Sequence, residues 1–155
     1  MTALNNMMVQ AAVLSYPHRP TIFNGFLERS AVLFEVLITD DRIPTRKGLR
    51  ALMLTQPDIK VIGEVTSGEK AIEFIEKNKP DVVIMDAFMP RMNGLEATRI
   101  IKKKWNRIRV IILTMHDDLR EEALAAGADA FLVKGCSPDY IIQEIKNERR
   151  RKNDF

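Results

Sequence analysis

The chain has 155 residues, 46% of them hydrophobic and 29% charged, with 24 Lys and Arg against 21 Asp and Glu for a formal charge of +3. That length suits one domain with a full core, not two, and the composition excludes a disordered or fibrous class. A single cysteine, Cys136, permits no internal disulfide and fits a reducing cytoplasm. No apolar run approaches the ~20 residues of a membrane span, and the N-terminus lacks the basic start of a signal peptide.

Residues 1–31 carry Asn5-Asn6, Pro17, Pro20 and Asn24-Gly25 between short apolar clusters. They read as an extension outside the domain, partly disordered, in which Leu4, Met7, Met8, Ala11 and Ala12 are spaced for one short amphipathic helix. Residues 32–39 read as the first strand and run into an acidic pair, Asp40-Asp41. Pro44 can start a helix whose buried stripe is Leu49, Leu52 and Met53, closed by Gln56-Pro57-Asp58. A shorter strand follows at 60–65, then a helix after Ser67-Gly68 with Ala71, Ile72 and Ile75 at helical spacing.

Pro80 ends that helix, and Val82, Val83, Ile84 and Met85 form an unbroken apolar run. Such a run fits a strand covered on both faces of a parallel sheet. It stops at a carboxylate, Asp86; Met89-Pro90 follows, and Asn93-Gly94 reads as a turn dipeptide. The next helix places Leu95, Thr98, Ile101 and Trp105 inward and ends in Lys102, Lys103, Lys104, Arg107 and Arg109, cations that suit a helix C-terminus. Residues 110–113 form a fourth apolar strand ending at Thr114. Asp117 or Asp118 is expected to cap an Ala-rich helix that stops at Gly127. A fifth strand at 130–133 ends in Lys134-Gly135. Ser137-Pro138-Asp139 then starts a last helix, with Ile141, Ile142 and Ile145 buried. Residues 148–155 read as a basic tail or linker.

Five strands alternating with five helices demand an α/β, doubly wound parallel sheet with right-handed crossovers and helices on both faces. Four of the strands end in a polar group: Asp40-Asp41, Asp86, Thr114 and Lys134. In a doubly wound sheet the first and third strands lie side by side at the switch point, so these groups converge. Three carboxylates together repel unless a hard cation with oxygen ligands, Mg²⁺, neutralises them. An Asp beside Mg²⁺, a hydroxyl and an ammonium is a site for receiving a phosphoryl group.

The sequence resembles a two-component response-regulator receiver domain, of the branch that carries a LuxR-type DNA-binding domain. The residues that carry the resemblance are Thr39-Asp40-Asp41, the run from Asp86 through Met89-Pro90 to Asn93-Gly94, Leu113-Thr114, and Phe131-Leu132-Val133-Lys134. They span about residues 32–147. The resemblance implies the flavodoxin-like strand order 2-1-3-4-5, with Asp86 as phosphoacceptor. It implies Asp40, Asp41, Asp86 and the Ala87 carbonyl as Mg²⁺ ligands, Thr114 and Lys134 as the phosphate-sensing pair, and Phe131 as the aromatic switch. It further implies a histidine kinase or phosphotransfer protein as donor, and phosphorylation-dependent self-association through the fourth helix, fifth strand and fifth helix.

The sequence departs from the family pattern in two ways. Arg42 follows the acidic pair, where it can pair with a carboxylate and change metal affinity. The chain ends at Phe155 with no helix-turn-helix, so a stand-alone receiver or one without its output domain is expected, with no specific DNA binding. Phe88 and Met115, bulky and apolar, are expected to flank the phosphate and limit access of water. His116, His18, Cys136 and the cluster from Arg99 to Arg109 read as solvated loop or helix-end residues. A haloacid-dehalogenase-like phosphatase would need a second Asp where Phe88 stands, and a phosphorylation-independent binding module would leave the acidic site without purpose.

Overall fold

A computed structural model describes residues 33–147, together with a short strand pair nearer the N-terminus. In that pair Ile22–Phe23 lies antiparallel to Phe26–Leu27, an element not anticipated from the sequence. Its signal was present: Asn24-Gly25 between two apolar dipeptides is the strongest short hairpin pattern. The helix expected over Leu4–Ala12 and the basic tail from residue 148 lie outside the described residues.

The main body is the expected sheet. Its strands are β1 (Phe34–Thr39), β2 (Ile59–Val65), β3 (Val82–Met85), β4 (Arg109–Thr114) and β5 (Ala130–Val133). All neighbours are parallel, in the order β2-β1-β3-β4-β5. The helices are α1 (Ile43–Leu54), α2 (Gly68–Asn78), α3 (Gly94–Lys104), α4 (Arg120–Ala125) and α5 (Pro138–Lys146).

Successive residues of a strand point to opposite faces, and here both faces are covered. Leu37, Val83, Met85, Val110 and Ile112 pack with α2, α3 and α4 through Ala71, Ile75, Leu95, Ile101 and Ala123. Val36, Ile38, Val82, Ile84, Ile111 and Leu113 pack on the other side with Leu49 and Met53 of α1 and Ile141 and Ile145 of α5. Central strands therefore read as unbroken apolar runs, and a carboxylate in such a run marks where the chain leaves the core.

Helix starts differ from expectation in detail. Asn93 is the N-cap of α3, its side chain accepting from Glu96 N–H at 2.8 Å, rather than part of a free turn. Asp117 and Asp118 lie inside a 3₁₀ turn, Asp117–Leu119, so neither caps α4, which is only 6 residues long. Ser137 precedes α5 without a side-chain cap bond; Pro138, with φ fixed for the first turn, marks the start. Gly127, by contrast, follows α4 with φ +99, as a helix-ending glycine should.

The basic end of α3 is partly neutralised within the fold. Lys102 pairs with Asp129 at 2.9 Å, Lys104 with Glu76 at 3.2 Å and Arg99 with Glu122 at 3.6 Å. Among the described residues, no helix is long and apolar enough to cross a membrane.

Candidate functional site

Asp40, Asp86 and Lys134 each sit one residue beyond the last rung of the sheet ladder, and Thr114 is itself in the last rung of its strand. Thr39 is level with Met85 and Met85 with Ile112, while Thr114 is level with Val133. Asp86 N–H donates to the Thr39 carbonyl at 2.9 Å, and Lys134 N–H to the Thr114 carbonyl at 2.8 Å. The ladder thus delivers Asp40, Asp86 and Lys134 to one edge without any long loop.

Asp40 and Asp86 are buried, at 2% and 6% exposure, whereas Asp41 is exposed. Carboxylate oxygens from all three lie within 4.8 Å of one another. Lys134 Nζ donates to Asp40 Oδ2 at 2.7 Å and lies 3.5 Å from Asp86 Oδ1. Arg42 contributes its backbone N–H to Asp40 Oδ1 at 2.8 Å, and the guanidinium that reaches Asp40 is that of Arg46, at the carbonyl, 2.8 Å away. An all-oxygen donor set with a net negative charge fits a hard divalent cation. The Ala87 carbonyl accepts from Gly94 N–H at 2.9 Å, so one of its lone pairs is committed to the turn into α3.

Burial raises the Asp86 pKa above the ordinary carboxylate value; the Lys134 charge opposes this and the Asp40 charge adds to it. A raised folded-state pKa stabilises fully below the unfolded pKa, and that contribution is lost as pH rises through the folded pKa. Ionised Asp86 therefore costs stability at neutral pH. Asp86→Asn should raise Tm at pH 7 in EDTA by roughly 4–8 °C, about 1 kcal/mol, with the gain shrinking as pH falls through the carboxylate range. Lys134 keeps Asp40 as partner in that variant. A Tm unchanged or lowered at pH 7 would contradict this.

Thr114 is buried, and its hydroxyl oxygen accepts from His116 N–H at 3.3 Å. Phe131 is 5% exposed on β5, with the Arg120 guanidinium 4.8 Å from its ring centre. Met115 is exposed, and Phe88 half-exposed, its ring edge-on to His116 at 4.4 Å. His116 is an exposed loop residue, as read from the sequence, and its ring contact with Phe88 also links the two loops that flank the carboxylates. The available signal was its offset: it stands two residues after Thr114, as Phe88 stands two after Asp86.

Residues 36–146 match the model of the response regulator receiver domain. The chain belongs to the response regulator receiver family. Receivers of this family are signalling domains rather than conventional enzymes. Transcriptional regulatory protein DegU of Brevibacillus brevis is 34% identical over 114 residues, 72% of this chain and 48% of the relative. Response regulator UvrY of Escherichia coli (strain K12) is 37% identical over 117 residues, 74% of this chain and 54% of that protein. This receiver therefore spans about half the length of those relatives. Among solved structures, a LuxR-family response regulator from Aurantimonas sp. SI85-9A1 superposes with TM-score 0.70 at 30% identity, over 74% of this chain and 83% of that one. The response regulator domain of Thermotoga maritima CheB gives 0.69 at 32% identity, over 74% and 94%.

Proposed function

We propose that this receiver takes a phosphoryl group onto Asp86 from a histidine kinase or phosphotransfer protein in the cytoplasm. The observation that carries the reading is the meeting of Asp40, Asp41 and Asp86 with Lys134 at one sheet edge. One Asp86 carboxylate oxygen attacks phosphorus in line as the bond from phosphorus to the donor nitrogen breaks, its electron pair leaving with the donor. Lys134, free to exchange a carboxylate for a phosphoryl oxygen, neutralises charge that grows on the transferred group. The Thr114 hydroxyl donates to another phosphoryl oxygen. Mg²⁺, held by Asp40, Asp41 and Asp86, would supply the remaining positive charge.

In this reading Thr114 moves toward the phosphoryl group, Phe131 follows inward, and the α4–β5–α5 face changes for self-association. Residues 32–147 form the receiver in this reading, with 1–31 and 148–155 as flanks outside the chemistry. Specific DNA reading is not assigned to this chain, since its basic residues sit toward helix ends rather than along one helix face.

Incubation with acetyl phosphate and Mg²⁺ should give phosphate incorporation that EDTA prevents and hydroxylamine, which cleaves acyl phosphates, removes. Equal incorporation in EDTA would contradict the metal's role. Once formed, the acyl phosphate is lost by in-line attack of water. Phe88 cannot orient a water by hydrogen bonding, and its contact with His116 places an apolar edge at the loop mouth. Phe88→Asn is expected to speed phosphate loss severalfold; an unchanged or slower decay would remove Phe88 from this role.

A further inference from the structure

The loop between Asp86 and α3 is held from outside by α2. Glu69, in the first turn of that helix, accepts Met92 N–H on Oε1 at 3.3 Å. Its other oxygen, Oε2, is buried without a hydrogen-bond partner. Gly68 is what lets the helix approach: a Cβ there would lie 3.0 Å from both Met92 Cγ and Ala97 Cβ. Arg91, next to Met92, has φ +67, a backbone conformation that L side chains adopt rarely and keep only where neighbours hold it. Glu69, Arg91 and Asp41 line one cavity of about 360 Å³, so the anchor and an acidic residue of the site share its wall.

The Glu69 carboxyl is held below the usual carboxylate range, first by its own backbone N–H, with burial opposing and Met92 N–H, Ser67 and the Arg91 charge assisting. Helix capping alone does not explain this use of Glu69. Ser67 is the N-cap, its hydroxyl oxygen accepting Lys70 N–H at 3.3 Å. The Glu69 side chain also reaches across to a loop 23 residues further along the chain.

We propose that Glu69 is a positioning residue for the phosphoacceptor site: through Met92 N–H it holds residues 87–93 in the arrangement in which Asp86 and Asp41 face one divalent cation. The inference rests on the reading of that site as Mg²⁺-dependent. Glu69 touches none of the reacting atoms, and acts through the loop.

The test is Mg²⁺ titration of the whole chain by calorimetry, with thermal unfolding in EDTA as the control for folding. Glu69→Ala should weaken Mg²⁺ binding about tenfold, as expected for loss of a hydrogen bond to a charged acceptor, with Tm in EDTA little changed. Glu69→Gln, which retains an acceptor for Met92 N–H, should stay within about threefold of wild type. In the Glu69→Ala background, Arg91→Gly should recover most of the loss, because glycine adopts the positive φ without support. Should Glu69→Ala not fold, Glu69→Asp, which keeps the charge but falls one methylene short, takes its place with the same expectation. Wild-type affinity in the truncated variant, or equal losses with Gln and Ala, would overturn the inference. Absence of Mg²⁺ binding by the wild type would instead overturn the phosphoacceptor reading itself.

Discussion

Replacing Gly94 with alanine is expected to lower Tm on the order of 15 °C, about 3 kcal/mol, and to abolish tight metal binding. A Cβ at Gly94 would lie 1.9 Å from the Asp86 carbonyl oxygen and 2.8 Å from its carbonyl carbon. Both obstructing atoms are backbone, so no rotamer change relieves them. The backbone cannot retreat freely either. Gly94 N–H is bonded to the Ala87 carbonyl, Asn93 caps the helix through Glu96, and Asp86 N–H is on the β1 ladder. The added methyl must therefore push α3 or the acceptor strand end out of place, and the acceptor carboxylate moves with either. Wild-type Tm and Mg²⁺ affinity in Gly94→Ala would contradict this packing.

The second large effect is expected from Lys134→Met. The methionine fills much of the volume but leaves Asp40 and Asp86, both buried, facing one another without a counter-charge. Removing one partner of a buried ionic cluster typically costs about 3 kcal/mol, because the orphaned charge cannot be rehydrated. Here one of the two carboxylates can take a proton instead, which confines most of the loss to neutral and higher pH. Chemical denaturation in EDTA should show the variant well below wild type at pH 7.5 and closer to it near pH 5. Added Mg²⁺ should restore more stability to the variant than to the wild type, since the cation then takes over the counter-charge that Lys134 gave the Asp40 and Asp86 carboxylates. A loss of stability independent of both pH and Mg²⁺ would mean that packing, not charge, is what Lys134 contributes.

The parts of this fold legible in the sequence are those set by burial. Val82–Met85 is apolar at every position because β3 is covered on both sides, and Asp86 stands out because it breaks that run. The same reasoning found Asp40, Thr114 and Lys134, since a parallel ladder carries all strand ends to one edge. Helix starts were less legible. The start of α5 was read at Ser137-Pro138, where it lies, although the Ser137 hydroxyl makes no cap bond, whereas a 3₁₀ turn takes in Asp117 and Asp118 and leaves neither capping α4. Contacts between loops were not legible. Nothing local in the sequence ties Phe88 to His116, or Glu69 to Met92, because each pair is joined only by the way two crossover connections stack. Gly94 was visible as a turn residue, but its close approach to the Asp86 carbonyl appears only in three dimensions.

In the proposed function Asp86, and no other group, accepts the phosphoryl group. Intact mass spectrometry of wild type and Asp86→Asn after incubation with acetyl phosphate and Mg²⁺ tests it most directly. The wild type should gain the mass of one phosphoryl group and the variant none, although the variant is at least as stable. Phosphorylation of Asp86→Asn at the wild-type rate, or an unmodified wild type that nonetheless binds Mg²⁺, would contradict it.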